Sequence, residues 1–154
     1  MEDTICAIST SLGIGAISII RLSGNNAIKI ADSIFSNNIL SCDSHVIKYG
    51  YIQDNSEIID EVLLMIMKSP KTYTKEDIVE INCHGGYNTT NKILELLLKR
   101  GCRLAEPGEF TKRAFLNGRI NLLESEAVNE LISAKTDSKR KLSLNQLNYS
   151  DHFY

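Results

Sequence analysis

The chain has 154 residues, 43% of them hydrophobic and 23% charged, with 9 Gly and 2 Pro. That composition supports one compact core, with length to spare for an appended helical piece, and excludes a fibrous or disordered chain. Seventeen Lys and Arg against 19 Asp and Glu leave a formal net charge of -2, so no overall cationic field is available to hold a nucleic-acid backbone, and RNA contact would need a local patch or another domain. The longest clean apolar run, residues 62–67, falls far short of the roughly 18 residues a spanning helix needs. The start, Met1-Glu2-Asp3-Thr4, lacks the basic region of a secretory signal, so a cytoplasmic protein without a membrane association is expected. Cys6, Cys42, Cys83 and Cys102 form no C-x-x-C pair and are expected to be small buried hydrophobes rather than metal ligands.

Residues 4–8 are short and apolar, residues 9–15 are rich in Ser, Thr and Gly, and residues 17–22 are again apolar apart from Arg21. That pattern reads as strand, loop, strand. Ser23-Gly24-Asn25 offers a cap to a helix whose apolar positions Ile28, Ile30, Ala31, Ile34 and Phe35 recur at helical spacing. Residues 46–52 and 58–67 predict a hairpin, its second strand so apolar that burial on both faces is expected, with Ser69-Pro70 as the stop. In residues 78–83 alternation puts Val79, Ile81 and Cys83 on one face and Ile78, Glu80 and Asn82 on the other. A helix is predicted over 91–100, closed by Lys99-Arg100-Gly101, followed by a short strand over 102–105. Pro107-Gly108 leads into a short helix over 109–116 with a Glu109/Arg113 pair at four-residue spacing and an Asn117-Gly118 exit. Asn121-x-x-Glu124 predicts a capping box opening a longer helix, with apolar Ala127, Val128, Leu131, Ile132 and Ala134. Its basic residues Lys135, Lys139, Arg140 and Lys141 read as a solvated face rather than an RNA site.

This order predicts an α+β fold, a mainly antiparallel sheet packed with helices, with a boundary between a compact unit, 1–118, and a helical tail, 119–154. The apolar stripe of that tail, including Leu142 and Leu147, is expected to fray or to pack on another copy.

Three stretches are richer in special residues than folding demands. Gly13-Ile14-Gly15 lacks the third glycine of a dinucleotide fingerprint, and no G-x-x-x-x-G-K-[ST] occurs anywhere, so P-loop chemistry is absent from these residues. Nearby Arg21 lies among apolar neighbours, either paired to a carboxylate or lying on an edge strand with its head in solvent. The second stretch, Tyr73-Thr74-Lys75-Glu76-Asp77-Ile78-Val79-Glu80-Ile81-Asn82-Cys83-His84-Gly85-Gly86, puts Cys83 and His84 on opposite faces, which argues against a nucleophile dyad. His84 reads either as a ligand contact or as a hydrogen-bonded structural residue. Glu80 and Asn82 together offer a carboxylate and an amide able to read the edge of a heterocycle. The third stretch, residues 105–119, packs two aromatics, several charges and two glycines together. These features point to a ligand pocket without naming the ligand.

Taken together, Asp3-Thr4-Ile5, Ile19-Ile20-Arg21-Leu22-Ser23-Gly24, the 73–86 stretch and Pro107-Gly108-Glu109-Phe110-Thr111-Lys112-Arg113-Ala114-Phe115-Leu116-Asn117-Gly118 strongly resemble the N-terminal domain of the MnmE (TrmE) family of tRNA modification GTPases. The resemblance implies a fold similar to the folate-binding domain of the glycine-cleavage aminomethyltransferase. It also implies binding of a tetrahydrofolate derivative, 5-formyl- or 5,10-methylene-tetrahydrofolate, as one-carbon source, and homodimerisation. In that family a G domain that uses potassium and magnesium is inserted in a helical region. With an FAD-containing MnmG-type partner the whole protein makes 5-carboxymethylaminomethyluridine at the wobble position of certain tRNAs.

Carried over by position, the family's folate contacts fall on Arg21, Glu80 and Arg119, the last usually a lysine. The sequence departs from the family at Gly13-Ile14-Gly15-Ala16, where a basic loop is common, at Thr74-Lys75-Glu76, where T-G-E is usual, and over 148–154. It lacks the G domain and the family's Cys-containing C-terminal motif, so the chain alone is expected neither to hydrolyse GTP nor to complete the modification. A free-standing folate-dependent one-carbon transferase and a purely structural dimerisation module are the alternatives.

Overall fold

The structure, a computed structural model, describes residues 3–10 and 17–127. Its elements are β1 (Ile5–Ile8), β2 (Ile17–Ser23), α1 (Ala27–Ile34), β3 (Val46–Asp54), β4 (Glu57–Met67), β5 (Ile78–His84), α2 (Tyr87–Lys99), β6 (Arg103–Leu104) and α3 (Glu109–Leu116). The strands form one sheet in the order β3-β4-β5-β2-β1-β6. Neighbours run antiparallel except β6, which pairs parallel with β1, so the sheet is mixed. The α+β reading holds; the Gly13-Ile14-Gly15 loop and the stripe and basic cluster beyond Ala127 lie outside the described residues.

Alternation sorts the sheet into two faces. Cys6, Ile8, Ile20, Leu22, Val62, Leu64, Ile66, Val79, Ile81 and Cys83 pack against Ala27, Ile30, Ala31 and Ile34 of α1 and Ile93, Leu96 and Leu97 of α2 in one large core. On the opposite face Ile5 and Ala7 of β1 pack with Ala105 and Phe110 in a smaller cluster flanked by Tyr73. That cover stops short of β3 and β4. Leu63 is 46% exposed, Tyr49 54%, Ile47 62% and Ile17 63%, which corrects the expectation that β4 is buried on both faces: its apolar run faces a core on one side only.

The hairpin turns tightly at Asn55-Ser56, with Asp54 opposite Glu57 and a register shift at Ile52/Gln53. Asn55 takes a φ of 56°, which Asn tolerates better than most residues. Helix α2 opens earlier than predicted, directly after Gly86, because its first turn, Tyr87-Asn88-Thr89, carries no apolar period. It stops as predicted: Gly101 has φ 112°, and the N–H of Cys102 reaches the carbonyl of Leu97 at 3.1 Å, the bond of a Schellman motif. Helix α1 is entered at Asn26 with no side-chain cap, the Asn26 N–H donating instead to Thr4 Oγ1 at 3.1 Å. The predicted capping box is present. Glu124 N–H donates to Asn121 Oδ1 at 2.8 Å and Asn121 N–H to Glu124 Oε1 at 3.2 Å, with helix running from residue 122 to the end of the described residues.

Candidate functional site

Strand β2 lies between β5 and β1, so Arg21 is not on an edge strand and its head does not run free into solvent. Alternation puts it opposite the large core, on a rung that reads Ala7, Arg21, Glu80, Met65 and Ile47 across the sheet. The side chains of Arg21 and Glu80 meet across that rung. Both Nε and Nη2 of Arg21 lie 2.7 Å from Glu80 Oε2, and no hydrogen bond to Oε1 is found among the described residues. The pair is half-buried, so it is held more firmly than a solvent-exposed one. The Arg21 guanidinium also rests 5.5 Å from the centre of the Phe110 ring, a favourable cation–π distance.

Arg119 reaches the same side of the sheet from the exit of α3. Gly118 takes a φ of 80°, its N–H bonds the Phe115 carbonyl at 3.0 Å, and the Arg119 N–H bonds the Ala114 carbonyl at 2.8 Å. This second Schellman motif requires a left-handed residue, which glycine adopts without steric cost. The Arg119 head lies over the Tyr73 ring at 5.0 Å. Tyr73 in turn shares a 2.9 Å hydroxyl contact with Thr111 on α3. Arg21 on Phe110 and Arg119 on Tyr73 are thus two cations on neighbouring aromatic rings of one small cluster. The three residues carried over by resemblance converge on this shelf, Arg21 and Glu80 in direct contact and Arg119 through the rings.

A network that the sequence did not disclose fixes the shelf from below. Arg113, which the sequence pairs with Glu109 at four-residue spacing, is 1% exposed. Its Nη1 donates to the Asp3 carbonyl at 2.8 Å and to Glu76 Oε1 and Oε2 at 3.1 and 3.2 Å, and its Nη2 to Asp3 Oδ1 at 2.6 Å. Glu109 lies 3.7 Å from Arg113 but is held chiefly by Arg103, at 2.5 Å. The Arg103 guanidinium, with Arg113 behind it, keeps the Asp3 carboxyl below its ordinary range. Glu76 also accepts from Ser23 Oγ at 2.9 Å, and Ser23 contacts Thr74 Oγ1 at 2.7 Å. The signal for this network lay in the helical spacing of Phe110, Arg113 and Ala114, which share the buried face of α3.

His84 and Cys83 part company as alternation requires. Cys83 joins the large core, where burial pushes its thiol up to about 11. His84 stands exposed at the open end of β5, its backbone N–H donating to Asp60 Oδ2 at 2.8 Å and its Nδ1 2.7 Å from Asp60 Oδ1. That carboxylate raises the imidazole pKa above its ordinary value. The ring borders a cavity of about 320 Å³ lined also by Ile17, Tyr49, Leu63 and Asn82. Among the described residues no group of His, Cys, Asp and Glu has the arrangement of a metal site, and no helix is long and apolar enough to cross a membrane.

Fold and site together define an α+β domain with a mixed-charge, aromatic-backed site on a half-open sheet face. Residues 4–119 match the model of the family described as the GTP-binding protein TrmE N-terminus, and the chain belongs to that family. It is 59% identical over 149 residues to the tRNA modification GTPase MnmE of Streptococcus thermophilus, 56% over 149 residues to that of Lactococcus lactis subsp. cremoris, and 54% over 151 residues to that of Bacillus licheniformis. These alignments take in 94 to 96% of the chain but 33% of each relative, so the chain spans about a third of the length of the curated relatives it matches.

Proposed function

We propose that this chain is the tetrahydrofolate-binding, dimer-forming N-terminal portion of a GTPase that acts in wobble-uridine modification of tRNA. The observation that carries the folate reading is the Arg21–Glu80 rung beside Arg119. The Nε hydrogen bond and the Nη2 ion-pair contact of Arg21 both end on Glu80 Oε2, so Oε1 can accept from the aminopyrimidine edge of a pteridine without breaking the pair. Arg119 offers a planar donor fork for a folate carboxylate. Tyr73 and Phe110 back both cations with apolar surface. The residues therefore fit the group, which when bound would supply the one-carbon unit. Binding and orienting that group is the work assigned to this chain's own side chains; GTP hydrolysis, with potassium and magnesium, and the FAD-containing MnmG-type partner belong to the complete assembly, in the cytoplasm.

The dimer reading is supported by the exposed apolar surface of Ile17, Ile47, Tyr49 and Leu63 on one face of one sheet, a patch of the kind that marks an interface. Calorimetric titration with 5-formyltetrahydrofolate, repeated for Arg21→Ala and Glu80→Ala variants whose circular dichroism is unchanged, tests the site. Saturable binding that both variants lose is expected. No binding by the unaltered chain refutes the folate reading, and equal binding by all three refutes the residue assignment. Light scattering across a concentration series tests the dimer, with a monomer at all concentrations as the refuting result.

A further inference from the structure

We infer that Arg113, clamped between Asp3 and Glu76, is a positioning residue of the proposed ligand site, fixing the two aromatic rings on which Arg21 and Arg119 rest. The inference builds on the folate reading above and assigns a role to residues that touch none of the ligand's proposed contacts.

The spacing makes the case. Phe110 lies one helical turn before Arg113 on α3, and Tyr73 lies three residues before Glu76 in the loop entering β5. One ion pair, Arg113 Nη1 to both oxygens of Glu76 at 3.1 and 3.2 Å, therefore joins the two ring-bearing segments from below, beside the 2.9 Å Tyr73–Thr111 hydroxyl contact. The same guanidinium reaches Asp3 through its carboxylate and its carbonyl, which ties both segments to the start of β1. One neighbouring bond runs in parallel, from Asn117 Nδ2 to the Thr74 carbonyl at 2.8 Å, and Thr72 Oγ1 donates to the Glu76 carbonyl at 2.6 Å within the loop itself.

The clamp is costly for mere cohesion. A buried ion pair is commonly no more stabilising than apolar residues of the same volume, and here Arg113 Nε is buried without a hydrogen-bond partner among the described residues. What the charged arrangement supplies, and an apolar one does not, is a directional fork that accepts only one relative placement of α3 and the 72–76 loop. Arg119 follows six residues after Arg113 through the Gly118 turn, so its head inherits that placement.

The test uses Glu76→Gln and Arg113→Lys, which keep volume while removing the charge or the fork, each alone and combined with Arg119→Ala. Binding of 5-formyltetrahydrofolate is measured beside the urea midpoint and the NMR signals of the Tyr73 ring and the Arg119 Nε–H. The clamp predicts shifted Tyr73 and Arg119 signals and about tenfold weaker binding in the single variants, since small misplacements of a binding group are costly. In the Arg119→Ala background the added loss should shrink to the part transmitted through Phe110 to Arg21, because the part that acts through Arg119 is already gone. Unshifted signals with unchanged affinity in folded variants, or losses that simply add in the double variants, overturn it. Should both variants fail to fold, Asp3→Asn, at the more exposed end of the clamp, carries the same expectation and the same refutation. If the unaltered chain binds no folate, the folate reading fails by itself, while the NMR shifts still decide whether the clamp holds the rings.

Discussion

Lys75 occupies a backbone conformation that its side chain disfavours, and Lys75→Gly is expected to stabilise the chain. Its φ is 63°, in the left-handed region that costs an L-residue roughly 1–2 kcal/mol and costs glycine nothing. Against that gain, glycine loses more freedom on folding, by about 0.4–1 kcal/mol. The side chain of Lys75 is exposed, and the backbone bonds of the turn, Lys75 N–H to the Thr72 carbonyl at 3.3 Å and the Lys75 carbonyl to Ser69 Oγ at 2.7 Å, are open to either residue. The difference leaves a net gain between about zero and about 1.6 kcal/mol, a rise of up to several degrees in Tm for a domain of this size. Urea unfolding at an unchanged slope measures it, with Lys75→Ala as the control that retains the left-handed penalty and gains nothing. A lower midpoint for Lys75→Gly, or an equal rise for Lys75→Ala, refutes the reasoning. The same φ favours glycine at this position over the lysine present.

Gly24→Ala is expected to destabilise by about 3 kcal/mol, combining backbone strain at φ 144° with a Cβ only 2.6 and 2.7 Å from Thr4 Oγ1 and Cα; an unchanged urea midpoint refutes it. NMR titration should find the His84 imidazole pKa above the ordinary value near 6.5, and Asp60→Asn should return it toward that value. Because the folded-state pKa is the higher one, the His84–Asp60 contact stabilises fully below the ordinary value and fades as pH rises through the folded one; the opposite trend refutes the pairing. Cys83, its thiol pushed up to about 11 by burial, should resist iodoacetamide at pH 8 until the chain unfolds, and stoichiometric labelling of the native chain contradicts that placement.

Those parts of the fold governed by local rules were legible in the sequence. Alternation in β5 assigned Val79, Ile81 and Cys83 to the core and Glu80 and Asn82 to the other face, and the glycine stop of α2 and the Asn121/Glu124 box occur as their local signals require. What stayed hidden depended on partners distant in sequence. An apolar strand reads the same whether one face or two are covered, so the sequence of β4 predicts burial on both. Arg113 has a carboxylate four residues before it, which looks like a surface pair, but its strongest partners, Asp3 and Glu76, lie 110 and 37 residues away. No local pattern reports a bond of that separation. Of the site, Arg21 and Glu80 were legible as residues out of place; that they face each other follows only from the β2/β5 register.

The position of the shelf follows from how little holds α3. A helix of eight residues has almost no stability of its own in water, so its placement on the sheet must come from tertiary contacts, here the packing of Phe110 and Ala114 and the bonds of Arg113, Tyr73 and Asn117. Those contacts join the start of β1, the loop before β5 and the helix itself, three segments far apart in sequence. A site assembled at their junction is accurate only when the whole sheet is formed. The same dependence explains why the cations lie at the border of the covered face: farther toward β3 the cover supplied by Phe110 and Tyr73 stops, and on β1 the surface is taken up by the packing of Ile5 and Ala7 with Phe110. Arg21 and Arg119 occupy the strip between, where aromatic surface is at hand and solvent, or a ligand, can still reach the charge.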